Sequence, residues 1–130
     1  MRGKSLDDLG ELQRAVLEVV WETGEGSVHD VRELLTRQKR PAYTTVLSVL
    51  QKLEKGGWLT HRSHGRSYVY LPTRSRDEAG ASSVRKFIRH VFGGDAMEMM
   101  QHLVKDGTID DAELKRLREM IDDKRNERSD

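Results

Sequence analysis

The chain has 130 residues, 35% of them hydrophobic and 35% charged, with a net charge of +1 and no cysteine. That length suits one domain or a small domain with an extension, and the low apolar share predicts a small core, much solvated helix surface and burial completed against a second copy. The missing thiols exclude disulfides, thiolate metal sites and thiol catalysis, no apolar run approaches the ~20 residues of a membrane span, and no secretory hydrophobic stretch follows Met1, so a cytoplasmic location is expected.

Leu9, Leu12, Val16, Val19 and Val20 recur at helical spacing and predict a first amphipathic helix from Leu9 to about Thr23. Gly24-Glu-Gly26 ends it. Ser27, followed by Asp30, predicts the capped start of a second helix with Val31, Leu34 and Leu35 as its buried stripe. That helix fades by 37–40, and Pro41 suits the turn before a third helix, from about Ala42 to Lys55, closed by Gly56-Gly57. On a helical wheel, Val46, Val49, Leu50 and Leu53 cluster on one side. Thr44, Thr45, Ser48, Gln51, Lys52 and Lys55 lie opposite, with no acid among them. After Trp58 the pattern turns strand-like. Residues 59–62 and 67–71 predict a hairpin around Ser63-His-Gly-Arg66, ended by Pro72.

Three further helices follow. Val84, Phe87, Ile88, Val91 and Phe92 form an i, i+3, i+4, i+7, i+8 stripe broken by Gly93-Gly94. Asp95 caps a short helix with Met97, Met100, Leu103 and Val104. Asp110 opens a last helix carrying Leu114, Leu117 and Ile121, and its charged end from Asp122 is expected to fray. The predicted fold is mainly α: a winged helix-turn-helix domain over 1–74 and a three-helix dimerisation domain over 75–130.

The charge is unevenly spread. Between Arg37 and Arg66 seven basic residues face the single acid Glu54, whereas 76–130 carries 11 basic and 13 acidic residues. A local basic footprint on a near-neutral chain points to a polyanion at one place. Two helices, a tight turn and a third helix with an aliphatic back and a hydroxyl-rich front describe a helix-turn-helix. Short side chains let such a helix approach base edges, so Thr44, Thr45 and Ser48 are the expected groove readers in double-stranded DNA. Lys39, Arg40, Lys52 and Lys55 would flank them on phosphates. Arg62 and Arg66, with His64, are expected at the tip of a basic wing that rests on phosphates or enters the minor groove, phosphate contact being the favoured reading for the two arginines. Tyr43 has two readings, a hydroxyl donated to phosphate or core packing. Tyr68 and Tyr70 read as hairpin packing.

Enzyme readings find no constellation. His61 and His64 would point to opposite faces of a hairpin, so no shared metal is expected, and no cofactor is implied. Ser27 and Ser48 read better as cap and groove residue than as nucleophiles. The narrow stripes of the last three helices make a poor independent core, so Val84, Phe87, Ile88, Val91, Phe92, Met100, Leu103, Leu114, Leu117 and Ile121 are expected at a homodimer interface that joins two reading heads. The alternative function is a winged helix whose basic face meets an acidic protein.

Several stretches carry a family resemblance: Leu9-Gly-Glu-Leu12, Val19-Val-Trp-Glu22, Ala42-Tyr-Thr-Thr-Val46, Leu53-Glu-Lys-Gly-Gly-Trp-Leu59, Gly65-Arg-Ser-Tyr-Val-Tyr70, Phe92-Gly-Gly94 and Asp111-Ala-Glu-Leu-Lys-Arg-Leu117. From Leu9 to Ile121 the chain resembles the penicillinase-repressor family of bacterial transcription regulators (BlaI/MecI/CopY type). The resemblance implies a homodimeric repressor of resistance or stress genes, bound to a palindromic operator, with a regulatory protease or sensor as a further partner. By position it puts Thr44, Thr45 and Ser48 in the operator-reading helix and Arg62 and Arg66 in the wing. Two departures stand out. His102-Leu103 occupies the place of the Asn-Phe bond cleaved in the best-studied relatives. The cysteine cluster of the copper-responsive branch is absent, which excludes copper sensing by that route.

Overall fold

A computed structural model describes residues 5–35 and 40–129. Contacts divide the chain into two compact units, Met1–Lys86 and Phe87–Asp130.

The first unit begins with a 3-10 turn, Leu6–Asp8, in which the Ser5 amide donates to Asp8 at 2.9 Å. Three helices follow: α1 (Glu11–Thr23), α2 (Val28–Leu34) and α3 (Tyr43–Lys55). Leu9 lies before α1 rather than in it, because the chain is still leaving the 3-10 turn there, but it packs on the core from outside the helix. Val16, Leu17 and Val20 are buried on α1. Ser27 caps α2 as expected: its hydroxyl accepts from the Asp30 amide at 3.2 Å, and the Asp30 carboxylate accepts from the Ser27 amide at 3.1 Å. The stripe expected on α2 is corrected in one place. Val28 and Val31 are its buried residues, whereas Leu34 is 52% exposed. Leu35, at the end of α2, packs on the core instead: at 100° per residue it falls on the side of Val28 and Val31, whereas Leu34 lies at the margin of that face.

Arg32 donates to the carbonyl of Pro41 at 2.7 Å and so ties α2 to the entry of α3. The back of α3 is buried through Val46, Val49, Leu50 and Leu53, the side the wheel predicts. Its end is a Schellman turn. Trp58 N–H donates to the Leu53 carbonyl and Gly57 N–H to that of Glu54, with Gly57 at φ +86°, where a side chain would be strained. Trp58 is thereby delivered to the core, 3% exposed, with the Arg74 guanidinium 4.7 Å above its ring.

Strands β1 (Leu59–His64) and β2 (Ser67–Pro72) pair antiparallel, from Leu59 opposite Pro72 to His64 opposite Ser67. The loop is two residues long. Gly65, at φ +64°, takes the position that a hairpin turn twisted with its strands requires. Gly26 pairs with Tyr70 on the other edge of β2, so the loop between α1 and α2 adds a one-residue third strand.

Helix α4 (Arg76–Phe92) starts behind a Ser75–Glu78 capping pair. Its first part belongs to the N-terminal unit. Ala79 is 1% exposed in that core, the Ser83 hydroxyl accepts from the Leu6 amide at 3.1 Å, and Lys86 reaches Asp8 at 3.4 Å. Glu18 on α1 holds Arg76 at 3.0 Å and Arg14 at 2.8 Å. Burial pushes the Glu18 carboxyl up, but these two guanidiniums outweigh it and hold it below the usual carboxylate range.

The second unit holds the end of α4, α5 (Ala96–Lys105) and α6 (Asp111–Ser129). Asp95 and Asp110 cap α5 and α6 by accepting from the Glu98 and Glu113 amides. Phe92 contacts Phe87 edge-on at 5.8 Å and stacks near His102 at 5.6 Å. Helix α6 continues to Ser129, whose hydroxyl donates to the Arg125 carbonyl, with Lys124 3.8 Å from Glu127. No described residue from Phe87 onward is buried. Among the described residues, no helix is long and apolar enough to cross a membrane.

Candidate nucleic-acid interface

The buried back of α3 forces its front outward. Thr44, Thr45, Ser48, Gln51, Lys52 and Lys55 are all exposed. The first turn of α3 contains no acid, and Ala42 at its N-cap offers no side-chain acceptor. Glu54, the one acid on the helix, is turned away from this front. Its carboxylate oxygens lie 2.8 and 2.7 Å from His61 Nδ1 on β1. His61 in turn stacks 4.2 Å from the Tyr68 ring. The front of α3 therefore presents hydroxyls, an amide and two ammonium groups, with its only carboxylate engaged by the wing.

Between the start of α2, α3 and the hairpin lies a groove of about 290 Å³, lined by Ser27, His29, Tyr43, Gln51, Arg66 and Tyr68 among others. Tyr43 is 41% exposed and tilts against His29 at 5.1 Å, so the structure favours a surface role for it over the core. Tyr70 beneath the groove is 1% exposed, and burial, with a smaller push from Glu54, moves its phenol above the usual range, so it stays neutral. Tyr68 is 50% exposed and packs on His61, while Tyr70 packs into the core.

The expected phosphate ligands fall into different states. Lys52, Lys55 and Arg66 are exposed and have no acidic partner among the described residues. Arg40 pairs loosely with Glu33 at 3.3 Å. Arg62 is not at the tip. It stands opposite Val69, two pairs back from the turn, and its Nη2 donates to both oxygens of Glu25 at 3.0 and 2.9 Å. Two-residue closure at Gly65-Arg66 leaves only His64, Arg66 and Ser67 at the end of the hairpin. Lys39 lies outside the described residues. Sequence reasoning missed His29 and Glu25. His29 is legible in retrospect as the second residue of a capped helix that enters the groove, whereas Glu25 is 37 positions from Arg62 and gives no local signal. Among the described residues, no group of three or more His, Cys, Asp or Glu is gathered to hold a metal.

Two short helices, a third with an exposed hydroxyl-rich face and a basic-tipped hairpin beside it define a winged helix-turn-helix protein. The sequence profile of the penicillinase repressor family matches residues 9–123, and the chain belongs to that family. It is 33% identical over 113 residues to the transcriptional regulator BlaI of Mycobacterium tuberculosis, covering 85% of this chain and 82% of the relative. It is 20% identical to the penicillinase repressor of Bacillus licheniformis, covering 95% and 96%. Among solved structures, the complex structure of hsRosR-S1 shares the fold with a TM-score of 0.52 at 18% identity, over 81% of this chain and 96% of that one. Members of the family are transcriptional regulators.

Proposed function

We propose that this protein is a dimeric transcriptional repressor that lays α3 in the major groove of a palindromic operator and rests the hairpin on the flanking backbone. The observation that carries the reading is the front of α3, exposed, hydroxyl-rich and free of acid because Glu54 is engaged by His61. Thr44, Thr45 and Ser48 read base edges, and Lys52 and Lys55 take phosphates further along. Tyr43, Arg40, Lys39 and Arg66 complete the contact with the backbone.

The second unit supports dimerisation. Phe87, Val91, Leu114 and Ile121 are 50%, 57%, 36% and 50% exposed, and none of its described side chains is buried. Apolar helices left this open bury their faces against a second copy, and a twofold pair of heads matches a palindrome. Val84, Ile88, Phe92, Met100, Leu103 and Leu117 extend the same interface. The controlled genes serve antibiotic resistance or stress, and the name of the penicillinase repressor among the relatives supports resistance. A regulatory protease would meet His102-Leu103 inside α5, where the His102 carbonyl accepts from the Asp106 amide at 3.0 Å, so cleavage there needs the helix opened first.

Selection of bound fragments from the source genome by the purified full chain tests the reading. The expected result is a palindromic site preferred over random duplex by ~10³-fold or more. Binding with no sequence preference would overturn it.

A further inference from the structure

The wing is held to the loop between α1 and α2 at two neighbouring points. Gly26 and Tyr70 exchange backbone hydrogen bonds of 3.0 and 2.8 Å. One residue before Gly26, Glu25 accepts from Arg62 through both carboxylate oxygens. A two-stranded hairpin is marginal by itself, and one residue of third strand reaches only β2. The Glu25–Arg62 pair is the tie from this loop to β1, whereas His61 joins β1 to Glu54 on α3. The pair also occupies Arg62 with an oxyanion, the same chemistry a phosphate would offer, while Arg66 in the turn is exposed and has no acidic partner among the described residues.

We propose that Arg62 is a positioning residue, which sets the wing against the loop between α1 and α2 through Glu25, and that Arg66 supplies the arginine contact of the wing with phosphate. The proposal deepens the DNA-binding reading and rests on it. The competing arrangement has Arg62 leave Glu25 and take a phosphate itself. The two differ in counterion release, because each phosphate neutralised contributes to the salt dependence of binding and an internal ion pair does not.

The test measures binding of the full chain to a random-sequence duplex across a sodium chloride series. Arg66→Ala is expected to reduce the slope of log affinity against log salt by about 0.9, the contribution of one phosphate. Arg62→Ala leaves the slope unchanged. Arg62→Glu weakens binding, and adding Glu25→Arg to it restores affinity by rebuilding the pair in reverse. Hydrogen exchange at the Gly26 and Tyr70 amides speeds up in Arg62→Ala and not in Arg66→Ala. A slope reduced by Arg62→Ala as much as by Arg66→Ala, or a charge swap that restores nothing, overturns the proposal. Wild-type binding that is absent or indifferent to salt overturns the DNA-binding reading instead. The exchange rates need no DNA, and unchanged rates in Arg62→Ala would remove the positioning role by themselves.

Discussion

Replacing Thr44 and Thr45 together by alanine separates reading from folding. Both side chains are exposed in the first turn of α3, and neither hydroxyl has a hydrogen-bond partner among the described residues. Nothing in the fold is lost with them. Alanine is the better helix former by up to ~0.7 kcal/mol per site, so the unfolding temperature should hold or rise. The groove contacts are a different matter. Discrimination at ~1–3 kcal/mol for each good base contact translates into a loss of preference of about fivefold to 140-fold for each contact removed. No charge is removed, so the salt dependence of binding should not move. Thermal unfolding, together with competition between the selected operator and random duplex at one salt concentration, reads all three quantities. An operator preference that survives the double substitution would refute the assignment of α3 as the reading helix. A preference lost together with the fold would refute the claim that these side chains are free of structural duty.

Leu50→Ala makes the opposite cut. Leu50 is fully buried at the back of α3, so the cavity should cost about 2–5 kcal/mol in urea unfolding, with operator contacts intact in whatever fraction remains folded. Glu18 titrates on the acid side. Its carboxyl is held below the ordinary value of 4.5, so its stabilisation is fully present above that pH and is lost as the pH falls through the folded value. Glu18→Gln should therefore be less stable than wild type at pH 7, and the gap between their melting temperatures should close on acidification; a gap that widens would contradict the pairing with Arg76 and Arg14. Phe87→Asp places a charge on a ring that is 50% exposed, so it should leave the N-terminal unit folded. Sedimentation equilibrium should find wild type dimeric and Phe87→Asp monomeric, and a variant that stays dimeric would place the interface elsewhere.

Much of the fold was legible in the chain because the rules that specify it are local. The capping residues Ser27, Asp95 and Asp110 act within three residues, and each was found at its helix start. The hairpin needed only a glycine between strand-like runs, although its turn is Gly65-Arg66 alone, because Ser63 and His64 pair in β1 rather than belonging to the four-residue turn expected. The misreadings came where a residue's environment is set by distant chain. Leu34 has the spacing of a core residue, but it lies at the margin of the face that Val28, Val31 and Leu35 turn to the core. Ala79 and Ser83 look like ordinary helix positions, yet they anchor the first part of α4 to the N-terminal unit, one in its core and the other on the Leu6 amide.

The sequence by itself determined that α3 has two faces, since the repeat of Val46, Val49, Leu50 and Leu53 at helical spacing decides which side turns inward wherever the helix is packed. It also placed the hydroxyls of Thr44, Thr45 and Ser48 opposite that side. Only the tertiary structure decided which charges remain available to a partner. Glu54 is taken by His61, seven residues away, and Arg62 by Glu25, 37 residues away, while Arg66 is left open at the turn. Periodicity is a property of one helix, whereas an ion pair depends on where loops bring two side chains, and no spacing in the chain records that.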